Sequence, residues 1–138
     1  MGSRITLVGA VSAVGLALLS GCGGAGEVIA TGDDVVLVSE RTGDGMDAMG
    51  GGRLEMVGGC LGASGAVIVW PHGTEVVGDD PLSVDIPDYG TFTVGDEVRV
   101  GGGYVVEHSS DDIEPGPYEV AGVTVPAACA KYDIFLAH

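Results

Sequence analysis

Gly95-Asp96-Glu97-Val98-Arg99-Val100-Gly101-Gly102-Gly103 is the stretch from which the fold class follows. Glycine at a tight turn, with an aspartate able to bond the backbone ahead of it, launches a strand whose Val98 and Val100 share one face and point inward. The glycines behind them let a strand curve sharply enough to close a small barrel. A phosphate cradle at Gly101 to Gly103 fails, because no helix start and no P-loop Lys or Ser/Thr follows. The pattern predicts an all-β protein, a small five-stranded β-barrel with helix nearly absent from this half.

Outward from that stretch the chain is a series of short strands punctuated by glycine. Arg53-Leu54-Glu55-Met56-Val57 alternates polar and apolar residues, Gly58-Gly59 kinks it, and Cys60-Leu61 continues it, which predicts one long strand bent at a bulge. Ala66 to Trp70 is apolar throughout and bounded by Gly65 and Pro71, the signature of a strand buried on both sides or crossing the core. Trp70 is assigned to that core, with a solvent-facing platform for a ligand as the competing assignment. Pro71-His72-Gly73-Thr74 reads as a turn in which His72 is an ordinary turn residue. Leu82 to Ile86 is another alternating strand, and Thr91 to Val94 leads into Gly95. Beyond the glycines, Glu114-Pro115-Gly116-Pro117 is a rigid turn, Tyr118 to Val125 reads as one strand, and Lys131 to Leu136 as the last.

Nearer the start, Glu27 to Ala30 and Val35 to Ser39 are β-branched clusters divided by Thr31-Gly32-Asp33-Asp34. They read as two short strands around a turn, or as one strand entered through a loop. Arg41-Thr42-Gly43-Asp44-Gly45-Met46-Asp47 has the look of a calcium loop in its Asp and Gly content, but it lacks the further oxygen ligands and closing Glu of an EF-hand, and a solvated turn is the better reading. Met46 to Met49 would form a helical turn before Gly50-Gly51-Gly52 breaks it.

The beginning of the chain carries an address. Met1-Gly2-Ser3-Arg4 is a short cationic start and Ile5 through Leu19 is uncharged, the plan of a secretory signal peptide. Such a run falls short of the roughly 20 residues of a permanent membrane helix. Its close, Leu19-Ser20-Gly21-Cys22, resembles the lipobox of bacterial lipoproteins. By that resemblance Cys22 receives a diacylglyceryl thioether and becomes the mature N-terminus, perched on the extracytoplasmic face of the cell membrane. The expected organisation is a signal peptide over 1–21, a lipidated N-terminus with tether and accessory strand over 22–50, and the small barrel over 51–138. Gly23-Gly24-Ala25-Gly26 supplies the flexible tether.

Charge excludes several partners. The 138 residues carry 20 acidic and 5 basic side chains, a formal net charge of −15. Arg4 would leave with the signal peptide, so the exported part is more acidic still. No Lys/Arg patch exists to neutralise phosphates, which removes the term that usually supplies nucleic-acid affinity. Anionic head groups would repel the domain too, leaving the acyl chains on Cys22 as the membrane contact. Length and charge allow one small core.

With Cys22 consumed by lipid, Cys60 and Cys129 remain as an even pair in an oxidising compartment, and a disulfide is the default. Neither has a C-x-x-C neighbour or clustered His, which disfavours a two-thiol metal site or a redox pair. The order from Leu54 to Phe135, with Cys-Leu, an apolar run into Trp-Pro-x-Gly-Thr, Val-Gly-Asp-x-Val, Gly-Gly-Gly and a closing Cys, resembles a family of exported bacterial lipoproteins with an OB-like, disulfide-stapled small β-barrel. That resemblance implies the fold and the Cys60–Cys129 cystine, and it transfers no catalytic residue.

Few residues carry a pattern that points to chemistry. His108-Ser109-Ser110-Asp111 holds the residue types of a hydrolase triad, but neighbours on an extended chain point in different directions and no Gly-x-Ser-x-Gly elbow is present. Asp33-Asp34, Asp79-Asp80 and Asp111-Asp112-Glu114 could lend oxygens to Ca²⁺, although acidic loops on such a domain are ordinarily solvated. Paired carboxylates for glycoside chemistry lack an aromatic-lined cleft to go with them. The expectation is a non-enzymatic, membrane-anchored binding or envelope module with no cofactor, no metal and a protein or small-ligand partner in the envelope. The alternative class is a small envelope hydrolase, or a metal-dependent enzyme using the acidic loops.

Self-repulsion among so many carboxylates should make the protein respond to ionic strength. Its melting temperature is expected to rise modestly with NaCl, since exposed charges are screened beyond about 10 Å at 0.1 M salt. At matched ionic strength CaCl₂ should add nothing. A saturable calcium-specific gain, lost on replacing Asp111 and Asp112 by Asn, would reverse that expectation.

Overall fold

A computed structural model describes residues 25–42, 45–108 and 116–138. Cys22, Asp44, Ser109, Ser110, Asp111, Asp112 and Glu114 lie outside the described residues, and with them the expected lipidation position and most of the triad-like cluster. The described chain is all-β, with twelve strands in three sheets.

In the seven-stranded sheet, β1 (Glu27–Thr31) and β2 (Asp34–Val38) form a hairpin, as do β3 (Ala48–Val57) and β4 (Cys60–Ala63), and β5 (Ala66–Trp70) follows. β9 (Glu97–Val106) and β12 (Ile134–Ala137) complete it. The order is β1-β2-β4-β3-β9-β12-β5, and β5 also pairs with β4 and β2. Most of its pairings are antiparallel; β5 runs parallel to β12 with Phe135 opposite Ile68, and parallel to β2 with Leu37 opposite Val69. A three-stranded antiparallel sheet is built from β6 (Glu75–Asp79), β7 (Leu82–Ile86) and β8 (Gly90–Thr93). The small hairpin β10 (Tyr118–Val120) and β11 (Val123–Val125) makes the third.

The fold-deciding stretch behaves as its pattern requires. Asp96 turns back to accept the Thr93 N–H on its carboxylate at 2.8 Å, while its carbonyl takes the Leu54 N–H at 2.8 Å. Val98 and Val100 are buried, and β9 runs unbroken through all three glycines. A side chain at Gly102 would collide with the Leu136 carbonyl, and one at Gly50 with the Phe135 ring. Absent side chains there let β12 and its aromatic ring seat against β9 and β3.

β5 is buried at every position, as its composition predicts. Its alternation splits between two cores: Ile68 and Trp70 join Val36, Leu54, Leu61, Val98, Val100 and Phe135, whereas Val67 and Val69 join Leu37, Cys60, Cys129 and Ile134. The first core is covered by Leu82, Val84 and Ile86 of the three-stranded sheet, the second by Val120, Val123 and Val125 of the small hairpin. Trp70 is fully buried and its indole N–H donates to the Leu61 carbonyl at 3.2 Å, which satisfies its polar edge and leaves no platform facing solvent.

Four local expectations are corrected. Gly58-Gly59 does not bend one strand: both have positive φ, 61° and 90°, and they reverse the chain into an antiparallel hairpin with Val57 opposite Cys60. That is the two-residue turn whose twist matches its flanking strands and which glycine adopts without steric cost. Ala121-Gly122, likewise at positive φ, splits the predicted Tyr118 to Val125 strand into β10 and β11. Met46 to Met49 forms no helical turn; Ala48 and Met49 already belong to β3, where cross-strand bonds to β9 outweigh a short local helix preference. The last strand begins at Ile134, not Lys131, because Cys129 to Tyr132 is held in turns by bonds back to Pro126 and Cys129.

Cys60 and Cys129 form a disulfide, both cysteines buried in the second core. It ties the start of β4 to the turn before β12 across 69 residues, for which the chain-entropy estimate is about 4 kcal/mol. Cys60→Ser should therefore lower stability by about 2–5 kcal/mol in denaturant titration of oxidised protein. A loss well under that, with both thiols of the unmodified protein open to alkylation, would contradict a structural role for the cystine.

Candidate functional site

A pocket of about 480 Å³ opens where the three-stranded sheet meets the end of the large one. Four separate segments converge on it: Ser39, Arg41 and Thr42 just after β2, Pro71 to Gly73 between β5 and β6, Pro87 to Tyr89 between β7 and β8, and His138 after β12. The volume falls within the range of small-molecule sites, about 300–1,000 Å³.

Backbone bonds hold its walls. Ser39 leaves β2 with its N–H on the Trp70 carbonyl at 2.9 Å, and the His72 Nδ1 lies 3.3 Å from the Ser39 carbonyl. A carbonyl only accepts, so that nitrogen carries the proton and Nε2 is left for another partner. Thr74 closes the same turn, its hydroxyl donating to the Pro71 carbonyl at 2.7 Å. The His138 Nε2 donates to the Met46 carbonyl, which frees Nδ1 in the same way.

Tyr89 pins the seam between the two sheets. Its hydroxyl accepts the Gly101 N–H at 2.9 Å and donates to the His138 carbonyl at 3.2 Å, while its own N–H donates to Ile86 at 3.0 Å. Asp88, beside it, is held at a φ of 69°, a left-handed conformation that Asp tolerates better than most residues. Among the described residues neither Arg41 nor Asp88 makes an ion pair or hydrogen bond. Opposite charges thus line one cavity without meeting.

A second pocket, of about 340 Å³, lies over Gly50, Gly51 and Gly52 and is walled by Met49, Ser64, Glu97, Arg99 and Tyr104. The Ser64 hydroxyl donates to the Gly51 carbonyl at 2.8 Å, and the exposed Tyr104 stands edge-on to Phe135 with ring centres 5.2 Å apart. Glycine contributes no functional group to its floor.

Of the described residues singled out from sequence, Cys60 and Cys129 meet in the cystine, and His108 and the acidic pairs lie outside both pockets. His108 lines neither pocket; its N–H donates to the Asp133 carboxylate at 2.7 Å, and the rest of its cluster lies outside the described residues. Asp33-Asp34 sits at the β1–β2 hairpin and Asp79-Asp80 at the β6–β7 turn, and no group of three metal-ligating side chains gathers among the described residues. His72 occupies a turn as expected, yet its ring walls the larger pocket, which sequence reading missed. Arg41, Asp88, Tyr89 and His138 were missed altogether, because no local spacing relates them. No family model, curated protein or solved structure matches the chain.

Tyr89→Phe keeps the ring and removes both hydroxyl bonds. It should lower stability by about 1–2 kcal/mol and broaden or shift the Gly101 and His138 amide resonances. An unchanged melting temperature with unmoved resonances would mean that Tyr89 does not hold the seam.

Proposed function

We propose that the protein is a lipid-anchored, extracytoplasmic binding module built on an OB-type barrel and related to exported bacterial lipoproteins. The barrel reading is supported by pairings that return on themselves: β3 with β4, β4 with β5, β5 with β12, β12 with β9, and β9 with β3. Five strands in that circuit with one parallel contact, β5 to β12, match the order of an OB-type Greek key barrel, a fold whose loops and strand face carry ligands. The long β3 shared between β4 and β9, and the three-stranded sheet inserted between β5 and β9, fit the same plan.

Binding is carried by the larger pocket, whose walls are set by backbone hydrogen bonds while Arg41 and Asp88 pair with none of the described residues. Polar walls held in place before a ligand arrives lower the ordering cost of association. The address rests on Leu19-Ser20-Gly21-Cys22 closing an uncharged run and on a cystine of the kind exported domains keep. The acyl chains would be the membrane contact, and a protein or small molecule in the envelope the partner.

In a bacterial host fed labelled palmitate, the native protein should take up label and sediment with membranes, while Cys22→Ala should do neither and should persist as unprocessed precursor. Label entering the Cys22→Ala protein would refute the anchor.

A further inference from the structure

We infer that the pocket at the seam of the two sheets takes a zwitterionic small molecule, its carboxylate on Arg41 and its ammonium group on Asp88. This rests on the binding reading of that pocket and is independent of the lipid anchor. Arg41 and Asp88 line the same cavity, yet neither makes an ion pair, with the other or with any described residue. The two residues are carried by different elements: Arg41 follows β2, whereas Asp88 sits in the β7–β8 turn that the Tyr89 hydroxyl ties to Gly101.

Charge decides between ligand classes. A simple anion meeting Arg41 would also meet the Asp88 carboxylate, in a protein of net charge −15 that repels anions at a distance. A simple cation drawn in by that field would face the Arg41 guanidinium. A molecule bearing both groups satisfies both residues, and its neutrality spares it the long-range repulsion. Guanidinium is suited to a carboxylate through paired N–H donors. The rings of His72, His138 and Tyr89, with Pro71 and Pro87, line the same cavity and offer flat faces, which favours a compound with an aromatic or similarly flat body.

The test uses three probes that share one ring and differ in charge: L-phenylalanine, phenethylamine without the carboxylate, and 3-phenylpropionate without the amine. Each is titrated into the full chain in detergent and followed by amide and side-chain NMR shifts at Arg41, His72, Asp88 and Tyr89. Phenylalanine should bind saturably and at least about tenfold more tightly than either half, the factor that loss of one charge-assisted contact is worth. Arg41→Ala should bring phenylalanine down to the level of phenethylamine, and Asp88→Asn to that of 3-phenylpropionate. Asn also tolerates the left-handed backbone at position 88, so the second variant changes charge and leaves the turn. Equal binding of all three probes, or tightest binding by a single-charge probe, would overturn the zwitterion and leave a pocket that binds. No movement of these resonances with any probe or with a set of neutral ring compounds would overturn both.

Discussion

Everything in this molecule leans on the burial of β5 along both faces and its pairing along both edges. Ala66 to Trp70 offers five apolar side chains in succession, so no rotation of the strand can hide them against a single layer. Neighbours must cover it above and below, and β4, β12 and β2 must take up its backbone groups. Trp70 and Ile68 then organise one core and Val67 and Val69 the other. The parallel contact with β12 is the costly one, since it joins segments more than sixty residues apart in sequence. The cystine, placed just before β12 and at the start of β4, reduces the chain entropy that this contact must overcome.

Each core needs a cover, and the covers create the site. The three-stranded sheet lays Leu82, Val84 and Ile86 over one face, and its β7–β8 turn reaches the end of the large sheet, where Tyr89 bonds to Gly101 and His138. Segments leaving β2, β5 and β12 finish at the same end. The pocket opens between those segments, and the polar groups of the loops line it. Function, on the proposed reading, occupies the seam between the two sheets.

Much of the fold was legible because apolar pattern and burial are the same statement made twice. Ala66 to Trp70, Val98 with Val100, the Gly95-Asp96 turn and the two core cysteines all followed from residue type. Two-residue turns misled, for a physical reason: Gly58-Gly59 and Ala121-Gly122 interrupt an alternating pattern that continues beyond them, and a bulge and a reversal leave the same trace in sequence. Only the pairing partner, invisible locally, distinguishes them. The pocket was not legible at all. Its residues come from four loops spread across about one hundred positions, and motif spacing registers chemistry only when one element carries it. The sequence drew attention instead to His108, which lines neither pocket.

Native-state amide hydrogen exchange tests the dependence on β5 most directly. The Val67 amide, bonded to the Asp133 carbonyl at 2.9 Å, and the amides of Ile68, Val69 and Phe135 should exchange only through global unfolding, more slowly than those of β1 and of the three-stranded sheet. Reducing the cystine should lower their protection together, by the amount that global stability falls. Exchange of the β5 and β12 amides at rates matching the edge strand β1, with the β6–β8 amides better protected, would show that the fold is organised around some other element.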